Sequence, residues 1–222
     1  MIIGESGSGK TTLMRCMCGL DEIDTGKVLF NDRSFYDLDF KEKKDIRKEI
    51  GMLFQGGALF DSKTVEENVM FPLSMFTDLS EQDKRERANF CLKRVNILNA
   101  NNLYPSEISG GMKKRVAIAR AIAVQPKYLF CDEPNSGLDP KTSIIIDNLI
   151  KEITEEYDIT TIVITHDMNS VIEIGDHIMF IYKGEKWWDG GRNEILKTDN
   201  KELCDFMYAT KFMREVKSKF LH

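Results

Sequence analysis

The sequence predicts an α/β fold built on a largely parallel sheet, and three observations carry that expectation. Five short apolar runs (27–30, 50–54, 128–131, 160–164 and 178–182) alternate with helical patterns at 11–19, 82–95, 111–124, 141–156 and 168–175. Strands that alternate with helices are joined by crossovers into parallel sheets. The run YLFCDEP delivers Asp132 and Glu133 to a strand end, the carboxyl edge at which open parallel sheets bind ligands. A glycine-rich loop, GESGSGKT at 4–11, stands between an apolar stub and the first helix.

In chain order, Met1, Ile2 and Ile3 read as the end of a strand, and the loop after them leads into the helix at 11–19. The runs at 27–30 and 50–54 are short and apolar, as strands are. The segment from about 66 to 106 breaks the alternation with Pro72, the charged helix EQDKRERANFCLKRV and the turn NANN, and reads as a helical insertion. With the helix that follows, it makes a helical subdomain over about 66–125. After the strand at 178–182, KGEKWWDG (183–190) reads as a late hairpin. The end, about 200–222, reads as an amphipathic helix, with Leu203, Phe206, Met207, Phe212, Met213 and Val216 on helical spacing.

A chain of 222 residues can bury one real core, so one domain with a subdomain is expected. The net charge of −5 argues against nucleic acid as a partner, because binders of the phosphate backbone carry a basic face. Cys16, Cys18, Cys91, Cys131 and Cys204 are odd in number and form no CxxC pair, which reads as reduced, packed thiols of a cytosolic protein. No apolar run approaches the roughly 20 residues that span a bilayer, and no signal peptide is visible. Any membrane role is therefore expected to come through a partner.

Gly4, Glu5, Ser6, Gly7, Ser8, Gly9, Lys10 and Thr11 fit GxxxxGK[ST] at every fixed position. Glycines let backbone N–H groups close around phosphates, and the following helix adds its positive end. Lys10 brings a charge to the phosphates and the Thr11 hydroxyl is placed for Mg²⁺. The pattern binds a nucleoside triphosphate. Asp132 can hold the metal through water and Glu133 can polarise an attacking water. Alone, such an acid pair reads more readily as a solvated turn, but Pro134 and the NSGLDP turn weigh against that. In EISGGMKKRVAIARAIAVQP, the residues Ser109, Gly110 and Gly111 open a helix and so make a second anion site. Two phosphate sites on one chain point to a nucleotide shared between two chains.

Together these motifs resemble the ATP-binding cassette (ABC) family over essentially the whole chain. The resemblance implies a P-loop NTPase fold, an ABC-type nucleotide-binding domain with a helical subdomain, using ATP and Mg²⁺. It assigns the Walker A loop to 4–11 with Thr12 beside it, and the Q-loop glutamine to Gln55. The signature is Ser109-Gly110-Gly111, the Walker B acid Asp132 and the catalytic glutamate Glu133. Asp139 closes the D-loop and, with Thr12, the loop at 4–11 and Ser109-Gly110-Gly111, is implied in ATP binding; His166 is the switch histidine. Thr11, Gln55 and Asp132 are the implied Mg²⁺ ligands, and Gln55 and His166 join Glu133 in catalysis. In this family two such domains pair head to tail, so a homodimer is implied, with Ser109 closing on phosphate held at Lys10 of the second copy.

Two stretches narrow the resemblance. The signature ISGGMKKRV, with Met112 and Lys113, and the glutamine loop LFQGGALFDSKTVEENVMFPL both look like the ATPase subunit of Mla-type phospholipid transporters, the group that includes the chloroplast lipid importer's ATPase. That implies a permease and an MCE-domain lipid-binding protein as partners, a place at the cytoplasmic face of the inner membrane, and phospholipid movement between inner and outer membranes. The alternatives are an ABC ATPase for a different solute, or a soluble clamp of the DNA-repair or structural-maintenance type. The clamp needs long coiled coils that 222 residues do not hold. Gly57, Ala58, Leu59, Phe60, Val65, Val69, Phe71, Pro72, Leu73, Met75 and Phe76 put apolar surface beside Gln55, either a groove for a permease helix or a join to the insertion. Family members usually begin further upstream, with strands and an adenine-stacking aromatic. By that resemblance N-terminal strands are missing and the start at Met1 is misassigned or truncated. Trp187 and Trp188, in the late hairpin, are not the adenine platform.

Overall fold

The computed structural model describes residues 1–209, which divide into two units: Met14–Val163, and Met1–Leu13 with the chain from Ile164 onward. In the second of these, β1 (Ile2–Ile3) runs parallel to β7 (His177–Tyr182), Ile2 opposite Met179 and Ile3 opposite Phe180. Ile2 also faces Ile164, the last residue of β6 (Thr160–Ile164). A two-residue strand persists because both side chains are buried, Ile3 completely. The hairpin expected at 183–190 forms, with β8 (Glu185–Gly191) antiparallel to β7 and a register shift between Phe180 and Ile181. Ile3, Ile178 and Phe180 share a core with Val171 of α7 (Met168–Ile174), Ile195 of α8 (Arg192–Ile195) and Leu203 of α9 (Lys201–Met207). Of the expected C-terminal helix, α9 is the described part, with Phe206 packed on Phe180 at 5.5 Å between ring centroids. Phe212, Met213 and Val216 lie outside the described residues.

In the larger unit, β4 (Ile50–Leu53) and β5 (Tyr128–Asp132) run parallel, in register from Ile50↔Tyr128 to Leu53↔Cys131, and β6 continues the order β4-β5-β6. These strands read as near-continuous apolar runs because parallel sheets are covered on both faces. The run at 27–30 does not join them. Only β2 (Leu29–Phe30) is strand, paired with β3 (Arg33–Ser34) in a separate antiparallel ribbon. Phe30 turns inward onto the rings of Phe35 and Tyr128, at 5.9 and 4.9 Å, while Leu29 stays in solvent.

Helix α2 (Phe40–Lys48) and the one-turn α8 have no counterpart in the sequence patterns, and α3 (Val65–Phe76) lies in the expected helical insertion without a pattern of its own. Helices α2 and α3 each open with a reciprocal capping box, Asp39 with Glu42 and Thr64 with Glu67, which satisfies two of the helix's orphan N–H groups. Pro72 does not break the chain into a join, since α3 runs through it. Helices α3, α4 (Glu81–Arg94) and α5 (Gly110–Ile122) pack on one another, and α5 also packs on β4. That last approach needs Gly51, where a Cβ would meet the Ala121 carbonyl at 2.5 Å.

Asn68 on α3 is fully buried and uses its whole side chain. Its Nδ2 donates to the carbonyls of Phe60, Lys63 and Thr64 at 3.1, 3.1 and 2.9 Å, and its Oδ1 accepts from Phe60 N at 2.8 Å. It therefore fixes the loop that presents Phe60. Asn68→Ala is expected to lower unfolding free energy by about 1–3 kcal/mol, because it strands buried backbone groups. The check is a urea titration in which the midpoint falls with the slope unchanged.

Candidate functional site

The phosphate-loop candidates lie in the smaller unit. β1 ends at Ile3 and α1 (Lys10–Met17) begins at the lysine itself, so the six residues between must turn tightly. Gly4 sits at φ +151°, where a Cβ would lie 2.3 Å from the Ile181 carbonyl oxygen and 2.8 Å from Ser8 Oγ. Only glycine passes there. Gly9 sits at φ +99°, in the left-handed region, and the turn closes through Ser8 N to Glu5 O at 3.2 Å. Lys10 is nearly buried, and its Nζ donates to the Gly4 and Glu5 carbonyls at 2.9 and 2.8 Å. The ammonium is thus folded over its own loop, at the start of α1, with Thr11 and Thr12 in the first turn. In the same unit, His166 follows the buried Thr165, whose N–H donates to Ile2 O at 3.2 Å. Asp167 then caps α7 through Asn169 N.

The acid pair lies in the larger unit. Asp132, buried, ends β5, and Glu133 follows at φ +47°, a left-handed conformation that costs a non-glycine residue strain energy. A closed ring of hydrogen bonds holds this turn to the glutamine loop. Gln55 Nε2 donates to Ser136 Oγ at 3.3 Å, and Ser136 N donates to the Glu133 carbonyl at 3.1 Å. Lys114, from α5, donates to that same carbonyl at 3.3 Å and to the carbonyl of Gln55. Burial pulls the Lys114 pKa down, against the opposing pull of Cys131, Asp132 and Glu133. Sequence reasoning named Lys113 and passed over Lys114. Only the helical rotation decides which of the two adjacent lysines turns inward.

Ser109 is the N-cap of α5, its Oγ accepting from Met112 N at 3.2 Å. With Gly110, Gly111, Arg115, Gly137 and Asp139 it lines a cleft of about 510 Å³. The Asp139 carboxylate is occupied in capping α6 (Pro140–Glu156), accepting from Lys141 N, Thr142 N and Thr142 Oγ1, and the Thr142 bonds hold its pKa below the usual range. A second hollow, about 360 Å³, is apolar and lined by Phe54, Ala58, Phe60, Phe71, Pro72 and Phe76, with Arg120 at its wall. Val65, Val69 and Leu73, expected along that groove, are instead fully enclosed in the core. The thiols of Cys18, Cys91 and Cys131 are pushed up by burial to about 12, 11 and 12, so they are inert. Among the described residues no cluster of His, Cys, Asp and Glu is built for a metal, and no helix is long and apolar enough to cross a membrane.

A glycine loop opening a helix, an acid pair on a parallel strand end and a Ser-Gly-Gly helix start together define a P-loop nucleotide-binding domain. The ABC transporter family matches residues 1–136, and the chain belongs to that family. It is similar to the methionine import ATP-binding protein MetN of Clostridioides difficile (strain 630), 42% identical over 202 residues that cover 91% of this chain and 63% of that protein. It is also similar to MetN of Campylobacter jejuni, 37% identical over 230 aligned positions covering 96% and 68%. The chain spans less than two thirds of the first of these relatives. Among solved structures, the dimeric ATP-binding cassette MJ0796 in a post-hydrolysis state with ADP and Pi superposes with a TM-score of 0.79 at 36% identity, covering 86% of this chain and 84% of that one.

These relatives do not support the Mla-type resemblance or an MCE-domain partner; an ABC ATPase for a different solute fits them better. There is a physical reason. The features that carried the resemblance are Met112 and Lys113, on the helix that Ser109 caps, and the 56–62 loop beside Gln55, all next to motifs that the whole family shares.

The loop geometry yields a direct test. Gly4→Ala is expected to destabilise the chain by about 2 kcal/mol, lowering Tm by about 4–8 °C. A thermal midpoint equal to the parent's would show that the loop opens freely at this point.

Proposed function

We propose that the chain is the ATP-hydrolysing subunit of an ABC importer for a small amino-acid-like solute such as methionine. The observation that carries the ATPase reading is the Lys10 ammonium closed over the loop at the start of α1. It is held by two carbonyls that phosphate oxygens can replace. Backbone N–H groups of Gly4, Glu5, Ser6, Gly7, Ser8 and Gly9, with Thr12 in the first turn, cradle the phosphates. The oxygens of Thr11, Gln55 and Asp132 are the hard donor set that Mg²⁺ prefers. When bound, the metal neutralises charge on the phosphates. Glu133 takes the proton of the attacking water, and His166 contacts the γ-phosphate.

Ser109, Gly110 and Gly111 of a second copy close the nucleotide, as the dimeric state of MJ0796 supports. Asp139 lines that cleft as an anion already spent on a helix cap, so it positions the turn rather than binding phosphate. The helices over about 66–125 act as a subdomain, and the apolar groove takes a cytoplasmic helix of a membrane permease. The chain then sits at the inner face of the membrane without entering it. Methionine as cargo is supported by the names of the relatives.

Glu133→Gln is expected to lower steady-state hydrolysis 10²–10⁴-fold while ATP still binds, because a lost general base costs that much. A rate within a few-fold of the parent would remove Glu133 from the chemistry. Phe71→Asp is expected to uncouple hydrolysis from transport in the reconstituted transporter, because a carboxylate buried under a docked helix costs several kcal/mol. The assay is ATPase rate beside uptake of labelled methionine and, separately, phospholipid transfer between vesicles. Wild-type transfer of phospholipid without methionine uptake would overturn the cargo and leave the ATPase standing.

A further inference from the structure

We infer that Lys114 is a positioning residue that ties the glutamine loop, the acid pair and the signature helix into one body. The inference rests on the ATPase reading above. Lysines are seldom buried unless their charge is met. Lys114 is 5% exposed, its ammonium donating to two carbonyl oxygens while the Asp132 and Glu133 charges act on it without a hydrogen bond from it. A methionine would fill the same space without desolvating a charge, so packing alone does not account for the lysine. What the ammonium adds is a fork. One hydrogen bond reaches the backbone of Gln55, and the other reaches the backbone of Glu133 at its strained φ of +47°.

Six residues further along α5, Arg120 donates to the Ala58 and Gly57 carbonyls at 2.7 Å each. Both of those residues also have positive φ, +45° and +77°. The signature helix thus grips the glutamine loop at three carbonyls, and through Lys114 it extends the grip to Glu133. The side chain of Gln55 closes the ring through Ser136. Any displacement of α5, whose first turn is the Ser109 signature, then displaces the Glu133 backbone with it. Lys114 touches no reacting atom; it sets where the Glu133 carboxylate starts from.

The test compares Lys114→Met and Lys114→Gln with the parent, in the full-length protein, by ATPase kcat, KM for ATP and Tm. K114M is expected to lose about 100-fold in kcat, the cost of roughly 1 Å of misplacement, with KM close to the parent's and Tm lowered only slightly by the carbonyl it leaves without a donor. K114Q retains N–H donors on a shorter stem and is expected to recover part of the rate. A merely structural residue would instead move Tm and KM together with kcat and show no rescue by glutamine; that outcome overturns the inference. So does a K114M rate equal to the parent's. Where K114M does not fold, K114Q is read by the same split. A parent that hydrolyses no ATP overturns the ATPase reading and this inference together, whereas a hydrolysing parent with an unaffected variant overturns this one alone.

Discussion

The first N–H groups of every helix lack partners within that helix, and much of this protein follows from how each start is dealt with. Helices α2, α6 and α7 are capped by Asp39, Asp139 and Asp167, each accepting from its own first turn. A helix start that already carries a carboxylate repels a second anion. Helix α5 is different, capped by the neutral Ser109 hydroxyl with two glycines behind it. Helix α1 is entered from a glycine loop, with a lysine where it begins. Helices α3, α4, α8 and α9 have uncharged caps too but carry Glu67, Asp83, Glu194 and Glu202 in their first turns. Among the described residues, then, α1 and α5 are the helices whose starts remain favourable for phosphate, and they are the two on which the family's nucleotide motifs stand.

Helix α5 also organises the larger unit. Val116, Ala117, Ile118 and Ala119 are buried, and small residues let the helix lie close on β4, where Gly51 gives way to the Ala121 carbonyl. Against this apolar stretch the helix spends two cations inward, Lys114 and Arg120, and burial lowers the pKa of both. Charged groups placed so deeply are costly unless hydrogen-bonded. Here every described bond from either one runs to a backbone carbonyl, within the glutamine loop or at Glu133. Backbone carbonyls cannot titrate or swing away, which makes them steadier anchors than side chains.

The sheet strands and the nucleotide motifs were legible because their cause is local. A parallel strand covered on both faces is an apolar run wherever it occurs, and a loop in which a Cβ at position 4 would lie 2.3 Å from the Ile181 carbonyl oxygen admits one residue type there. Helix α2 was not legible by periodicity, since FKEKKDIRK buries only Ile46 beyond its capped start. Its signal, and that of α3, was the capping box: Asp39 three residues before Glu42, and Thr64 three before Glu67. Asn68 and Lys114 were invisible for another reason. A polar residue in the sequence carries no mark of the carbonyls it will meet, and those come from residues up to 59 positions away. Cargo was legible least of all, because the residues that seemed to specify it serve the glutamine loop and the signature helix.

Arg120 belongs at once to the carbonyl grip and to the wall of the apolar groove, with its guanidinium 6.0 Å from the Phe60 ring that Asn68 holds in place. A helix filling that groove would exclude water from the exposed side of the guanidinium. Hydrogen bonds strengthen as the local dielectric falls, so the bonds to Gly57 and Ala58 would tighten on docking. The loop they hold leads back to Gln55, and through Lys114 to Glu133. If a permease helix docks as proposed, this path to the acid pair would need no large movement at the groove. On the proposed docking, the removal of water from Arg120 would stiffen the segment on which Gln55 stands.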